Sequence, residues 1–306
     1  MNLEQIVKNN LAKTKEGRVA NYIPALGKVE PNQLGIAIYD LKENDIKQVG
    51  DSQVRFAIES ISKIITFLYA VKQLGMDYVT QRVGARQTGF PFNSILNLEI
   101  EGKHHPLNPF VNAGAIEVTS LLKAVNNMQP FEQLIRFARE ICHDSQIILS
   151  TEIFESEERT GDMDRSLAYY LKAKKMLKAD VPTSLKVYFK QCSMMVTAED
   201  LANLGAVLAN DGIKPWDNER LISSEAATYT KSLMMTTGLY NESGTYSAII
   251  GIPTKSGVGG GLMSAATGKY GIGIFSPPLD DAGNSIAGLS ALNELGRELK
   301  VDLFRY

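Results

Sequence analysis

Between residues 61 and 71 the chain places apolar side chains at Ile61, Ile64, Ile65, Leu68 and Val71, a helical spacing that is apolar on most sides. Such a helix must be covered all round, so whatever the chain folds into has to wrap this segment. Two polar groups interrupt its start. Ser60 stands just ahead of the first helical residues and Lys63 follows within one turn, so hydroxyl and ammonium can share a face. Both the helix dipole and burial oppose a charged lysine at that end, and both lower its pKa. A lysine poised to be neutral beside a serine is a general base beside a nucleophile, the Ser-x-x-Lys arrangement of a class of hydrolases. The competing reading makes Ser60 or Ser62 a helix cap. A capping box wants Glu or Gln where Lys63 stands, so a cap explains a serine and leaves the lysine unexplained.

The pattern to either side separates strands from helices. Residues 34–39 and 46–50 alternate as a hairpin, and strand runs return only at 248–252, 262–266 and 270–275. Helical spacing fills the middle, at 76–83, 112–125, 131–142, 164–177, 184–191, 198–210 and 223–235. Amphipathic helices at Leu3, Ile6, Val7 and Leu11 and at 284–300 flank the strands. Strands at both ends with helices between predict an α/β (α+β) fold, with one sheet made from the two termini and an all-helical region inserted. The expected division is 1–59 with 223–306 around the sheet and 60–222 as the helical part, the site lying between them. A long loop at 84–107 carries His104 and His105; loops of that length are often functional.

Charge and composition narrow the partners. The net charge of the 306 residues is −2 with the signs interspersed, so no basic face for nucleic acid is expected. The apolar run 64–71 is far too short to span a bilayer and has Lys63 and Lys72 at its ends. The first residues lack the layout of a secretory signal, and two cysteines, Cys142 and Cys192, cannot make a disulfide framework. A cytoplasmic protein with reduced thiols is the expectation. Three histidines without His-Glu-x-x-His give no metal site, and no phosphate-loop pattern occurs.

A second chemical candidate is Lys255-Ser256-Gly257-Val258-Gly259-Gly260-Gly261, which follows Pro253. Proline cannot donate to a ladder, so this segment is expected at a sheet edge, and its glycines let backbone approach a substrate. Alone it is a glycine-rich turn. Paired with Ser-x-x-Lys it is the order of serine β-lactamases and penicillin-binding proteins.

With Asn108-Pro109-Phe110-Val111-Asn112-Ala113-Gly114-Ala115, Ser156-Glu157, Tyr188-Phe189-Lys190-Gln191-Cys192-Ser193, Gly238-Leu239-Tyr240 and Asp280-Asp281-Ala282-Gly283-Asn284-Ser285, the set resembles the serine-dependent bacterial glutaminases over about residues 20–300. The resemblance implies a β-lactamase-like fold, hydrolysis of L-glutamine to L-glutamate and ammonia, no metal or organic cofactor, and a homo-oligomer. It implies Ser60 as nucleophile, Lys63 as the group that removes its proton and Tyr188 as a relay. The backbone amides of Ser60 and Val258 would form an oxyanion hole. Asn112, Glu157, Asp164, Tyr188 and Tyr240 would hold the substrate, with Lys255 and Ser256 in support. One segment departs: the family usually reads Thr-Gly-Asp-Arg-Asn-Arg where this chain has Thr160-Gly161-Asp162-Met163-Asp164-Arg165, with Met163 in place of Arg and Asp164 in place of Asn. An ionised aspartate accepts hydrogen bonds and cannot donate them, so Asp164 should favour a substrate ammonium and repel a carboxylate. Two rivals accompany this expectation. One is a β-lactamase or penicillin-interactive hydrolase, disfavoured by Asn112-Ala113-Gly114-Ala115 and the missing export layout. The other is a non-catalytic amino-acid-binding protein, disfavoured by retention of both Ser60 and Lys63.

Overall fold

The computed structural model describes residues 2–101 and 104–305. Positions 102 and 103, inside the long loop, lie outside the described residues. The chain begins with α1 (Leu3–Asn10), capped by Asn2, and then forms the expected hairpin of β1 (Gly35–Asp40) and β2 (Asp45–Gly50), with Asp40 paired to Asp45. After the short β3 (Phe56–Ala57) come α2 (Ser62–Leu74) and α3 (Met76–Arg82). The helical region continues through α4 (Asn112–Leu121), α5 (Pro130–Ile141), a brief β4 (Ile148–Leu149), α6 (Thr151–Thr160), α7 (Asp162–Ala173) and α8 (Val181–Cys192). β5 (Met194–Val196) leads into α9 (Ala198–Ala209), α10 (Ser224–Thr237) and α11 (Ser243–Ile249). The chain closes with β6 (Thr254–Gly257), β7 (Gly261–Ala266), β8 (Tyr270–Phe275) and α12 (Ile286–Leu299).

The five longer strands from the two ends make one antiparallel sheet in the order β2-β1-β8-β7-β6, and β3, β5 and β4 form a second small one. Alternation along β1 and β8 separates two cores. Ile36, Ile38, Ile272 and Ile274 face α1 and α12 with Leu3, Ile6, Leu289 and Leu292, while Ala37 and Phe275 face the other core. On that second face α9 lies so close that a Cβ at Gly273 would collide with the backbone oxygen of Ala198. Glycine is what lets helix and strand meet there.

α2 is buried along its length, as the spacing of its apolar residues requires: Ile64, Ile65, Phe67, Leu68 and Ala70 are all closed to solvent. Each such side chain contributes about 1.5–3 kcal/mol by leaving water. The expected strand at 248–252 is not one. Residues 243–249 are helical, and Gly251 follows with φ +64°, its missing Cβ leaving room for the Asp302 carboxylate. That backbone reversal and Pro253 delay pairing until Thr254, so β6 starts only there, as the edge strand. The apolar pattern of 250 and 252 reflects burial of Ile250 and Ile252 against α12, not strand alternation. The helix α6 and the small sheet were not expected. α9, placed with the helical part from sequence, packs on the five-stranded sheet.

Candidate active site

Neither serine of the opening turn is a cap. Glu59–Ile61 form one 3-10 turn, the N-cap position of α2 is Ile61 without a side-chain bond, and Ser62 Oγ donates backward to Glu59 O at 2.6 Å. Ser60 is left with its side chain on a cavity wall, 8% exposed, beside Tyr240. The turn is fixed from behind by Ile58 N donating to Met194 O of β5 at 2.9 Å. β6 then passes on its other side. A Cβ at Gly257 would stand 2.6 Å from Ile58 O, so the glycine is needed for the strand to come this near the serine.

Lys63 is fully buried and its Nζ donates to Phe110 O at 3.3 Å and to Asn112 Oδ1 at 2.7 Å. Asn112, the first residue of α4, passes the chain on: its Nδ2 donates to Asp164 Oδ1 at 2.8 Å. Burial lowers the pKa of Lys63, with Cys192, Asp164, Glu59 and Glu157 acting the other way. The direction agrees with the expectation from helix position and burial. Among the described residues Ser60 and Lys63 are not hydrogen-bonded to each other. Asp164 is pushed up by burial, against the Asn112 bond and the charges of Lys63 and Arg165.

Glu157 reaches the same cavity from α6, a helix begun by Ser150 Oγ accepting from Ile153 N. Ile153, Ser156 and Glu157 are its buried positions, spaced i, i+3, i+4, so Glu157 is carried on the inward face. Burial raises its carboxyl to about 7. Beside it stands Glu59, 3% exposed, with a positive φ of 51° and Oε1 without a donor. The donor atoms of Glu59, Glu157 and Cys192 lie within 4.8 Å of one another, the group here whose spacing comes nearest to a metal-ligand set.

Tyr240, also at positive φ (55°), has its ring against Phe92 with centroids 4.6 Å apart, and its hydroxyl donates to Ser256 O at 3.3 Å. Lys255 is wholly buried beneath that ring, Nζ 4.5 Å from the centroid, donating to Gly238 O and Ser256 O. Burial, and next the charge of Lys63, push its pKa well down. Ser256 Oγ contacts Gly283 O at 3.5 Å. Tyr188 on α8 is 3% exposed and also faces the cavity; burial, then Asp164, raise its phenol.

The cavity encloses about 250 Å³. Of the residues singled out from sequence, Ser60, Asn112, Glu157, Asp164, Tyr188 and Val258 line it directly. Lys63, Tyr240, Lys255 and Ser256 form the layer behind, joined to the lining by the bonds above. Glu59, Cys192, Phe92 and Tyr22 also line it and were not singled out. Glu59 had a signal, a charged residue preceding a buried helix; Phe92 lies in the long loop at 84–107 and Cys192 in the segment 188–193 that carries the resemblance, and Tyr22 had none. His104 is exposed and His105 bonds Pro106 O, both apart from the cavity, while His143 stacks on Trp216.

The family model described as Glutaminase matches residues 17–304. Glutaminase 1 of Clostridium perfringens is 54% identical over 305 residues, covering 100% of this chain and 99% of its own. The structure of a probable glutaminase, ybaS, superposes with a TM-score of 0.92 at 36% identity, over 99% of this chain and 98% of that one. A Bacillus subtilis glutaminase, in covalent complex with 5-oxo-L-norleucine formed by its reaction with 6-diazo-5-oxo-L-norleucine, superposes with a TM-score of 0.87 at 36% identity, over 99% and 98% of the two chains. The chain belongs to the glutaminase family.

Proposed function

We propose that this enzyme hydrolyses the side-chain amide of L-glutamine to L-glutamate and ammonia through a glutamyl ester on Ser60. The observation that carries the reading is a serine on the wall of a partly open cavity, one turn from a buried lysine whose pKa burial lowers. The related Bacillus enzyme forms a covalent complex with a glutamine analogue, which supports a nucleophile in the same family. Ser60 Oγ attacks the amide carbon while its proton moves to Lys63, with Tyr188 relaying and Tyr240 standing beside the serine. The oxyanion sits on the amides of Ser60 and Val258, each worth about 3 kcal/mol in such a site. The proton returns to the leaving nitrogen, the C–N bond breaks, and water cleaves the ester to free Ser60. Glu157 accepts from the substrate ammonium, and Asn112 and Asp164 complete the polar wall. Lys255 contributes positive potential from below Tyr240 when protonated.

Residues 60–222 bring Ser60, Asn112, Glu157, Asp164 and Tyr188, and the sheet part, 1–59 with 223–306, brings Val258, Tyr240 and Lys255. The cavity is thus the seam of two subdomains, with α9 riding on the sheet. Cys142 and Cys192 are buried and unpaired, which supports a reducing, cytoplasmic setting. No described helix is long and apolar enough to cross a membrane. The test is ammonia release from L-glutamine by the purified protein. Ser60→Ala should lower kcat by at least about 10³-fold without changing the fold; release at the parent rate would refute the assignment.

A further inference from the structure

We propose that Glu59 is a positioning residue that holds a proton shared with Glu157, so that the pair presents a single negative charge to the cavity and leaves Lys63 free to act as a base. The inference rests on the glutaminase reading of this site and extends it to a residue that touches neither the scissile bond nor the catalytic lysine's hydrogen bonds.

Geometry carries it. Glu59 and Glu157 come from different elements, the 3-10 turn before α2 and the inward face of α6, yet a carboxylate oxygen of each lies within 4.8 Å of the other. Both are buried, at 3% and 7% exposure. Two carboxylates buried this close cannot both ionise without strong repulsion; one must carry a proton, as in the paired carboxyls of acid proteases. Glu59 Oε1 has no donor from elsewhere in the structure, so an ionised Glu59 would be a buried charge with an unmet acceptor, whereas a protonated one becomes the donor to Glu157. The backbone is bent to bring this about: Glu59 adopts φ 51°, a conformation costly for a residue with a side chain and found where function over-determines it.

The surroundings agree on which partner holds the proton. Glu59 is faced by Glu157 from α6, Asp164 from α7, Lys63 from α2, Tyr188 and Cys192 from α8, Tyr240 from the turn after α10 and Tyr22 from the N-terminal segment. Lys63 is the one basic group among them. Burial and then the Glu157 charge push Glu59 well up. Its unmet Oε1 and deeper burial make Glu59 the partner assigned the proton and Glu157 the anion. Four residues along the chain, Lys63 must be neutral to accept the Ser60 proton. A second full carboxylate beside it would hold it as an ammonium. The shared proton gives the substrate ammonium one anionic acceptor without that penalty.

Infrared difference spectroscopy with kcat/KM profiles on L-glutamine tests this. At pH 7 the spectrum of the parent minus Glu59→Gln should show the carbonyl band of a buried protonated carboxyl, and in the parent that band should fade in step with kcat/KM on the alkaline side. Glu59→Gln, whose amide still donates to Glu157, should move the alkaline limb upward by at least about one pH unit. Glu59→Ala, which removes the donor, should raise KM about tenfold with a smaller change in kcat. Absence of the difference band at pH 7, or an alkaline limb that stays in place in Glu59→Gln, overturns the proposal. If Glu59→Gln does not fold, Glu157→Gln replaces it: loss of the carboxylate acceptor must shift the Glu59 band, and an unshifted band overturns the proposal equally. A protein that released no ammonia from glutamine would refute the glutaminase reading, and the band would still decide where the proton is.

Discussion

Asp164 is a residue at which this chain differs from what its family resemblance implies, and the structure gives the difference a physical meaning. Its Oδ1 accepts from Asn112 Nδ2, the same amide group whose Oδ1 holds Lys63, so Asp164 is the far end of a chain of bonds that begins at the base. Asparagine in its place keeps the accepted bond and removes a half-buried charge from the cavity wall. Asp164→Asn should raise kcat/KM for L-glutamine about tenfold, mostly through KM, by relieving repulsion of the substrate carboxylate, a term of a few kcal/mol at such distances near a protein surface. Steady-state kinetics on glutamine and asparagine check this; unchanged values on both contradict it. Ser60 and Lys63 were legible from sequence because a lysine inside a buried helix conflicts with its position, whereas Asn112 was reached only through the family resemblance. Phe92, Tyr22 and Cys192 were not legible, because an aromatic in a loop or a thiol on a helix face carries no such conflict until the fold brings it to a cavity.

At the scale of elements, two devices hold the catalytic parts in register. The first is the close passage of β6 past the Ser60 turn. Gly257→Ala puts a Cβ against Ile58 O, and a displacement of even 1 Å at a catalytic turn costs about 10²-fold. We expect kcat for glutamine to fall by about that factor, with circular dichroism unchanged; full activity would show that the approach is not required. The second is α6, which delivers Glu157. Removing its cap in Ser150→Ala should cost about 1 kcal/mol of stability and raise KM more than it lowers kcat, because Glu157 is proposed to bind substrate and not to react. Thermal melts and kinetics on the one variant separate the two effects. α6 escaped the sequence because its ten residues include four glutamates and no apolar stripe beyond Ile153 and Phe154. The strand expected at 248–252 failed for the opposite reason: a run of isoleucines suits a strand or a buried helix end equally, and Gly251 with Pro253 decided it.

Over the whole molecule, the sheet of both termini and the helical insert followed from periodicity, since strand and helix spacing differ most where the runs are long. The place of α9 on the sheet did not, because Gly271 and Gly273, which admit it, read within the strand at 270–275 without indicating which helix packs on them. That helix carries a stability device of its own. Asp200, third residue of α9, closes a capping box with Thr197, and burial raises its carboxyl to about 7 despite those bonds and the nearby Arg55. A carboxyl raised in the folded state stays protonated there while the unfolded chain ionises near pH 4, so its contribution to stability falls as pH rises from about 4 to about 7. Asp200→Asn lacks this loss. Its melting temperature relative to the parent should therefore improve between pH 5 and pH 7.5; a difference that is flat with pH would contradict the assignment. Two nucleophiles, Ser60 and Cys192, line one cavity, and mass mapping of the protein after reaction with 6-diazo-5-oxo-L-norleucine distinguishes them. The adduct should lie on the peptide containing Ser60, persist in Cys192→Ala and vanish in Ser60→Ala; an adduct on Cys192 would contradict the account.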